Sequence, residues 1–100
     1  MVTNAVQFSR LTDRSGTIIA GGTPQSLLLQ DPGRYGWRIQ NTSSGDLWFN
    51  DTKNPASVAG LGCFKVGPGD YYESPPNSEP EFAISLFGAT TGQTFSASEW

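Results

Sequence analysis

The chain has 100 residues, of which 36% are hydrophobic and 15% charged, and its formal net charge is −3. That length allows one domain, which buries only about two-thirds of the surface its unfolded chain exposes, so self-association would add useful burial. Sparse, net-negative charge excludes a phosphate-binding surface driven by counterion release, and the absence of histidine removes the usual general base near neutral pH and the commonest transition-metal ligand.

Residues 1–15 place Val6, Phe8 and Leu11 among Arg10, Asp13 and Arg14, with no Gly-punctuated strand pattern and no long helical face. They read as an extended N-terminal arm, ordered mainly by contact with something else. Met1-Val2-Thr3-Asn4 does not open a basic region followed by an apolar run, and no apolar stretch approaches the ~18 residues of a membrane span. A domain spanning 16–100 is expected to follow. Thr17–Ala20 and Gln25–Gln30 read as short strands, the second closed by the Asp31-Pro32-Gly33 turn, in which proline fixes φ and glycine permits positive φ.

Tyr35–Asn41 alternates Tyr35, Trp37 and Ile39 with Arg38 and Gln40, the period-two pattern of a half-buried strand. Leu47-Trp48-Phe49 predicts the next strand, and the irregular stretch after it closes at Gly60 and Gly62. Cys63–Val66, the Gly67-Pro68-Gly69-Asp70 turn and Tyr71–Glu73 read as a hairpin, while the prolines of Pro75–Pro80 make that segment a loop. Glu81–Phe87 and Gln93–Ala97 flank Gly88-Ala89-Thr90-Thr91-Gly92 and read as a closing hairpin that leaves the Trp100 indole at a flexible end. About eight short strands without a convincing helix specify an all-β domain, a single β-sandwich of jelly-roll type. Its expected core is Trp37, Ile39, Trp48, Phe64, Ile84, Leu86 and Phe95.

Candidate chemistry is thin. Asp46, Asn50, Asp51 and Asn54 offer oxygen ligands, but their spacing does not match an EF-hand and such residues also make turns. Paired acids at Glu79 and Glu81, or at Asp46 and Asp51, lack any sign of a cleft. Cys63 has no partner for an intrachain disulfide and no adjoining cationic cluster, so it reads as a small buried hydrophobe in a chain that folds in a reducing cytoplasm. No catalytic residue, cofactor or metal is expected.

Trp37, Trp48, Tyr71 and Tyr72 invite a carbohydrate-binding reading, yet the two tryptophans lie in strands whose alternation points them at the core. Tyr71 and Tyr72 must face opposite sides of their strand, so one of them is exposed, and Tyr72 is taken as the contact residue. Trp100 either packs under the N-terminal arm or inserts into a neighbouring subunit, the second being favoured.

The Gly88-Ala89-Thr90-Thr91-Gly92-Gln93 segment ahead of Trp100, together with Ile39–Ser43, Asp46–Asn50 and Val66–Gly69, resembles the small β-sandwich structural proteins of tailed bacteriophage particles over residues 16–100. The resemblance implies a non-enzymatic virion component made in the host cytoplasm: a capsid decoration or cement protein, or a head–tail or fibre accessory. Its partners would be other virion proteins and copies of itself, preferably as a trimer, with no nucleic acid and no membrane. The expected interface residues are Val6, Phe8, Leu11, Tyr72 and Trp100. The alternative is a carbohydrate-binding module that mediates surface attachment.

Overall fold

Period-two alternation gives each strand one apolar face, and two sheets that bury those faces against each other satisfy all of them at once. The computed structural model describes residues 11–78 and 80–100. Nine strands form among them: β1 (Thr12–Asp13), β2 (Gly16–Thr17), β3 (Gln25–Leu28), β4 (Trp37–Asn41), β5 (Leu47–Asn50), β6 (Cys63–Val66), β7 (Tyr71–Glu73), β8 (Ile84–Gly88) and β9 (Thr94–Glu99). The front sheet has the order β1-β9-β4-β7, with β2 also on β9, and the back sheet β3-β8-β5-β6; every pairing is antiparallel.

The register of β1 on β9 runs on unbroken into that of β2, from Thr12↔Glu99 to Thr17↔Thr94. Between them the Ser15 hydroxyl takes the place of a backbone acceptor for the Ala97 N–H, at 3.0 Å. β1 and β2 are therefore one strand in effect, and the fold is an eight-stranded jelly roll. Thr12 and Asp13, expected within the arm, pair with β9 in the front sheet.

The two expected hairpins are not hairpins. β6 and β7 lie in different sheets, as do β8 and β9, so each Gly-rich turn is an arch over the end of the sandwich. The Gly88–Gln93 arch locks that end by side-chain bonds: Gln93 Nε2 donates to the Asp46 carbonyl (3.1 Å) and to Ser43 Oγ (3.3 Å), while its Oε1 accepts from Thr90 N–H (3.0 Å). Gly21 N–H donates to Thr91 Oγ1 at 2.9 Å, and Gly92 N–H to the Ile18 carbonyl at 2.8 Å. Gly92 holds φ +91, a conformation that side chains disfavour.

Asn41 completes the same end. Fully buried at the last position of β4, it donates from Nδ2 to the carbonyls of Gly45 and Val66, both at 2.7 Å, and its Oδ1 accepts from Ser43 N–H and Oγ. Asn50 repeats the device at the end of β5, its Oδ1 accepting from Thr52 N–H and Oγ1. Asparagine suits the place because one amide supplies donor and acceptor to a turning chain.

The opposite end is organised by a buried cation. Arg34 donates through Nε to Glu99 Oε1 (2.9 Å), through Nη1 to the carbonyls of Pro80 (2.7 Å) and Phe82 (2.9 Å), and through Nη2 to the Leu29 carbonyl. Arg14 Nε reaches the other Glu99 oxygen at 2.6 Å. A buried guanidinium requires partners of this kind, since its desolvation is costly unless it is paired and hydrogen-bonded.

The core contains Ile18, Leu28, Trp37, Ile39, Leu47, Phe49, Val66, Ile84 and Leu86, with Phe95 almost as deep. Two expected core residues are placed otherwise. Trp48 faces the outside of the back sheet, partly exposed, while its neighbours Leu47 and Phe49 point in. Phe64 does lie on the inner face opposite Phe49, with ring centroids 5.7 Å apart, but β6 is an edge strand and the ring remains 58% exposed.

Candidate interaction surfaces

Three features of the described residues are equipped for contact: the Trp100 corner, the open β6–β7 side of the sandwich and the outer face of the front sheet. Val6 and Phe8, expected to be arm anchors, lie outside the described residues. Leu11 is half exposed just before β1.

Trp100 is not a loose end. Its N–H donates to the Gly36 carbonyl at 3.0 Å, and its own carbonyl accepts from the N–H groups of Tyr35 (2.6 Å) and Gly36 (3.1 Å). The indole lies over Gly36, and a Cβ on that glycine would stand 2.7 Å from Cζ2. The Arg38 guanidinium carbon is 5.6 Å from the indole centroid, within cation–π range. The ring is therefore a fixed surface of the domain, part buried beneath and part exposed above.

Tyr72 is turned inward, correcting its assignment as the exposed member of the pair. Its ring packs on Trp37 (5.2 Å between centroids) and Phe49 (4.7 Å), covering the mouth of the core between β6 and β7. Burial, followed by the Asp51 charge, raises its phenol pKa. Tyr71 is the exposed ring, and its hydroxyl donates to Glu73 Oε1 at 2.5 Å. That bond to a carboxylate, aided by desolvation and the Glu73 charge, raises the Tyr71 pKa against the opposing effect of Arg38.

On the open side, β6 and β7 are the outermost strands of their sheets, so among the described residues Phe64 has no strand beyond it. The 51–62 loop folds back over the outside of the back sheet, where Ala56 is buried and its N–H donates to Ser85 Oγ at 2.9 Å. Val58 and Leu61 project from this loop, Leu61 with full exposure. Sequence reasoning missed Leu61 because its glycine neighbours mark a turn and give no sign of which way the side chain points.

The outer face of the front sheet is polar with an aromatic border. Register places Arg38 between Ser98 and Glu73, and Gln40 between Ser96 and Tyr71. Arg38 Nε donates to Ser98 Oγ at 2.8 Å, which fixes the guanidinium against the sheet. Asp13 accepts from Ser15 N–H, and its bonds to Ser15 lower its pKa. A cavity of about 500 Å³ lies over this face, and a separate one of about 490 Å³ is lined by Glu73, Pro75, Asn77 and Trp100.

The remaining candidates do not assemble. Asn50 Nδ2 is directed to the Leu61 carbonyl (3.4 Å) and Cys63 Sγ (3.7 Å), so its amide serves the 51–62 loop. Among the described residues no three His, Cys, Asp or Glu side chains are grouped to hold a metal ion. Glu79 lies outside the described residues, which leaves its pairing with Glu81 undescribed. Cys63 is half buried and accepts from Ser57 N–H at 3.4 Å. No described helix is long and apolar enough to cross a membrane.

No family model matches the chain, and neither the curated proteins nor the solved structures contain a match.

Proposed function

We propose that this chain is a non-enzymatic structural component of a tailed-phage virion, a capsid decoration or cement protein or a head–tail or fibre accessory, acting through protein–protein contacts. It would be made in the host cytoplasm and assemble as a homo-oligomer, preferably a trimer, on other virion proteins. Besides the sequence resemblance, one observation carries the reading: Phe64 extends the core out to an edge strand and stays 58% exposed, with Leu61 fully exposed nearby. A rigid sandwich that holds large apolar side chains at an open edge gains most by burying them against a neighbour.

The test combines mass-resolved sizing of the purified protein with incorporation of variants into particles. The wild-type chain is expected to be oligomeric and present in particles. Phe64→Asp and Leu61→Asp should keep the isolated domain's melting temperature and lose assembly. A wild-type monomer absent from particles, or normal incorporation of both variants, would overturn the proposal.

A further inference from the structure

We infer that the outer face of the front sheet is a binding site for a neutral oligosaccharide, with Tyr71 and Trp100 as ring platforms and Arg38, Gln40 and Ser96 as hydroxyl partners. This is separate from the virion proposal, which rests on Phe64 of the back sheet and Leu61 of the loop before it.

The chemistry of the face narrows the ligand. Its two cavities, about 500 and 490 Å³ and lined respectively by the cross-strand partners Arg38 and Glu73, each fall within the range of about 300–1,000 Å³ typical of small-ligand sites. The floor presents hydroxyl, amide and guanidinium groups, which an apolar ligand would leave unpaired at a cost. Among the described residues of this face Asp13 and Glu73 set two carboxylates against the one guanidinium of Arg38, and that balance disfavours phosphate, sulfate and other anionic ligands. An extended peptide would pair with a sheet edge rather than lie across a face whose backbone groups are already bonded within the sheet. A neutral polyol remains: its hydroxyls both donate and accept, matching Gln40, Ser96 and Arg38, while the apolar faces of its rings suit aromatic planes.

The face is also preorganised. Ser98 holds Arg38 at 2.8 Å, Glu73 holds the Tyr71 hydroxyl at 2.5 Å, and the backbone pairs with Tyr35 and Gly36 hold Trp100. Groups already fixed lose little conformational freedom when a ligand arrives.

The experiment is an amide-resolved NMR titration of the full chain with maltohexaose, cellohexaose and the hexamer of N-acetylglucosamine, each to about 5 mM, where a site of millimolar Kd is largely filled. At least one sugar should shift the amides of Arg38, Gln40, Tyr71, Ser96 and Trp100 and leave those of β5 and β6 in place. Tyr71→Ala and Gln40→Ala, both on an exposed face, should each weaken that binding about tenfold or more, while Lys65→Ala on the back sheet should not. Failure of all three sugars to shift these amides, shifts centred on the back sheet, or unchanged affinity in both front-sheet variants would overturn the inference. Absence of the wild-type chain from particles, or normal incorporation of Phe64→Asp and Leu61→Asp, with sugar binding intact, would instead count against the virion proposal alone.

Discussion

The indole of Trp100 rests on the backbone of Gly36, close enough that a methyl group there would stand 2.7 Å from its Cζ2 and 2.8 Å from its Cε2. Glycine at 36 is thus a condition for the ring's place. Gly36→Ala should push the indole off the sheet and cost roughly 1–3 kcal/mol, as overpacking does. In a Trp100→Ala background the same change should cost less than about 0.5 kcal/mol. Urea unfolding of the four chains in this cycle checks it, and equal costs in both backgrounds would place the strain in the backbone instead.

Arg34 should be the most expensive single polar residue. Removing it leaves Glu99 short of a partner and strips a donor from three carbonyls. Arg34→Ala is expected to lose about 3–5 kcal/mol, the cost of breaking a buried pair from one side. Arg34→Lys should recover little, because a point ammonium cannot reproduce the fork. Denaturant midpoints of the two variants decide the matter.

Neighbouring aromatics on β5 and β6 should differ sharply. Phe49→Ala should cost about 3–5 kcal/mol through lost transfer energy and a cavity, whereas Trp48→Ala, on the outer face, should cost less than that. Phe64→Ala should cost less still in the isolated domain. Thermal melts of the three variants provide the ranking; a Trp48→Ala loss equal to that of Phe49→Ala would reverse the strand's faces.

The Gly88–Gln93 arch should fail through its glutamine. Gln93→Ala leaves the Asp46 carbonyl and Thr90 N–H without their partner and is expected to cost about 1–3 kcal/mol. Native-state amide exchange should show faster opening of both 42–46 and 89–93, loops that Gln93 ties together.

Alkaline titration reports the Tyr71–Glu73 contact. Both Tyr71 and Tyr72 have pKa values raised above that of an ordinary tyrosine, so their neutral forms are favoured in the folded state. Stabilisation from such groups is present below the unfolded phenol pKa and is lost as pH rises through the folded value. Phenolate absorbance should therefore place the ionisation of Tyr71 and of Tyr72 above the ordinary phenol range. Glu73→Ala should lower the pKa of Tyr71 and leave that of Tyr72 in place, and Tyr72→Phe should remove the Tyr72 contribution from the titration.

The jelly roll was legible wherever a strand's own residues carried the information. Trp37, Ile39 and Phe95 alternate with residues that carry no large apolar side chain, Ile84 and Leu86 flank Ser85, and all five are buried. The pattern misled at β5, where Leu47, Trp48 and Phe49 are all apolar, so alternation could not say which parity faces in. It also misled at Tyr71 and Tyr72, two like residues on opposite faces, and only the packing of Tyr72 against Trp37 and Phe49 separates them.

By itself the sequence determined an all-β chain, the approximate limits of its strands and the turns between them, because alternation and Gly–Pro punctuation are local properties. Tertiary structure alone decided which sheet each strand joined, since a short Gly-rich turn serves equally for a hairpin and for an arch between sheets. It likewise decided that Gly36 receives Trp100 and that Arg34 gathers carbonyls from positions 29, 80 and 82. Those contacts join residues far apart in the chain, and their energies depend on burial and geometry that exist only once both sheets have closed on the core.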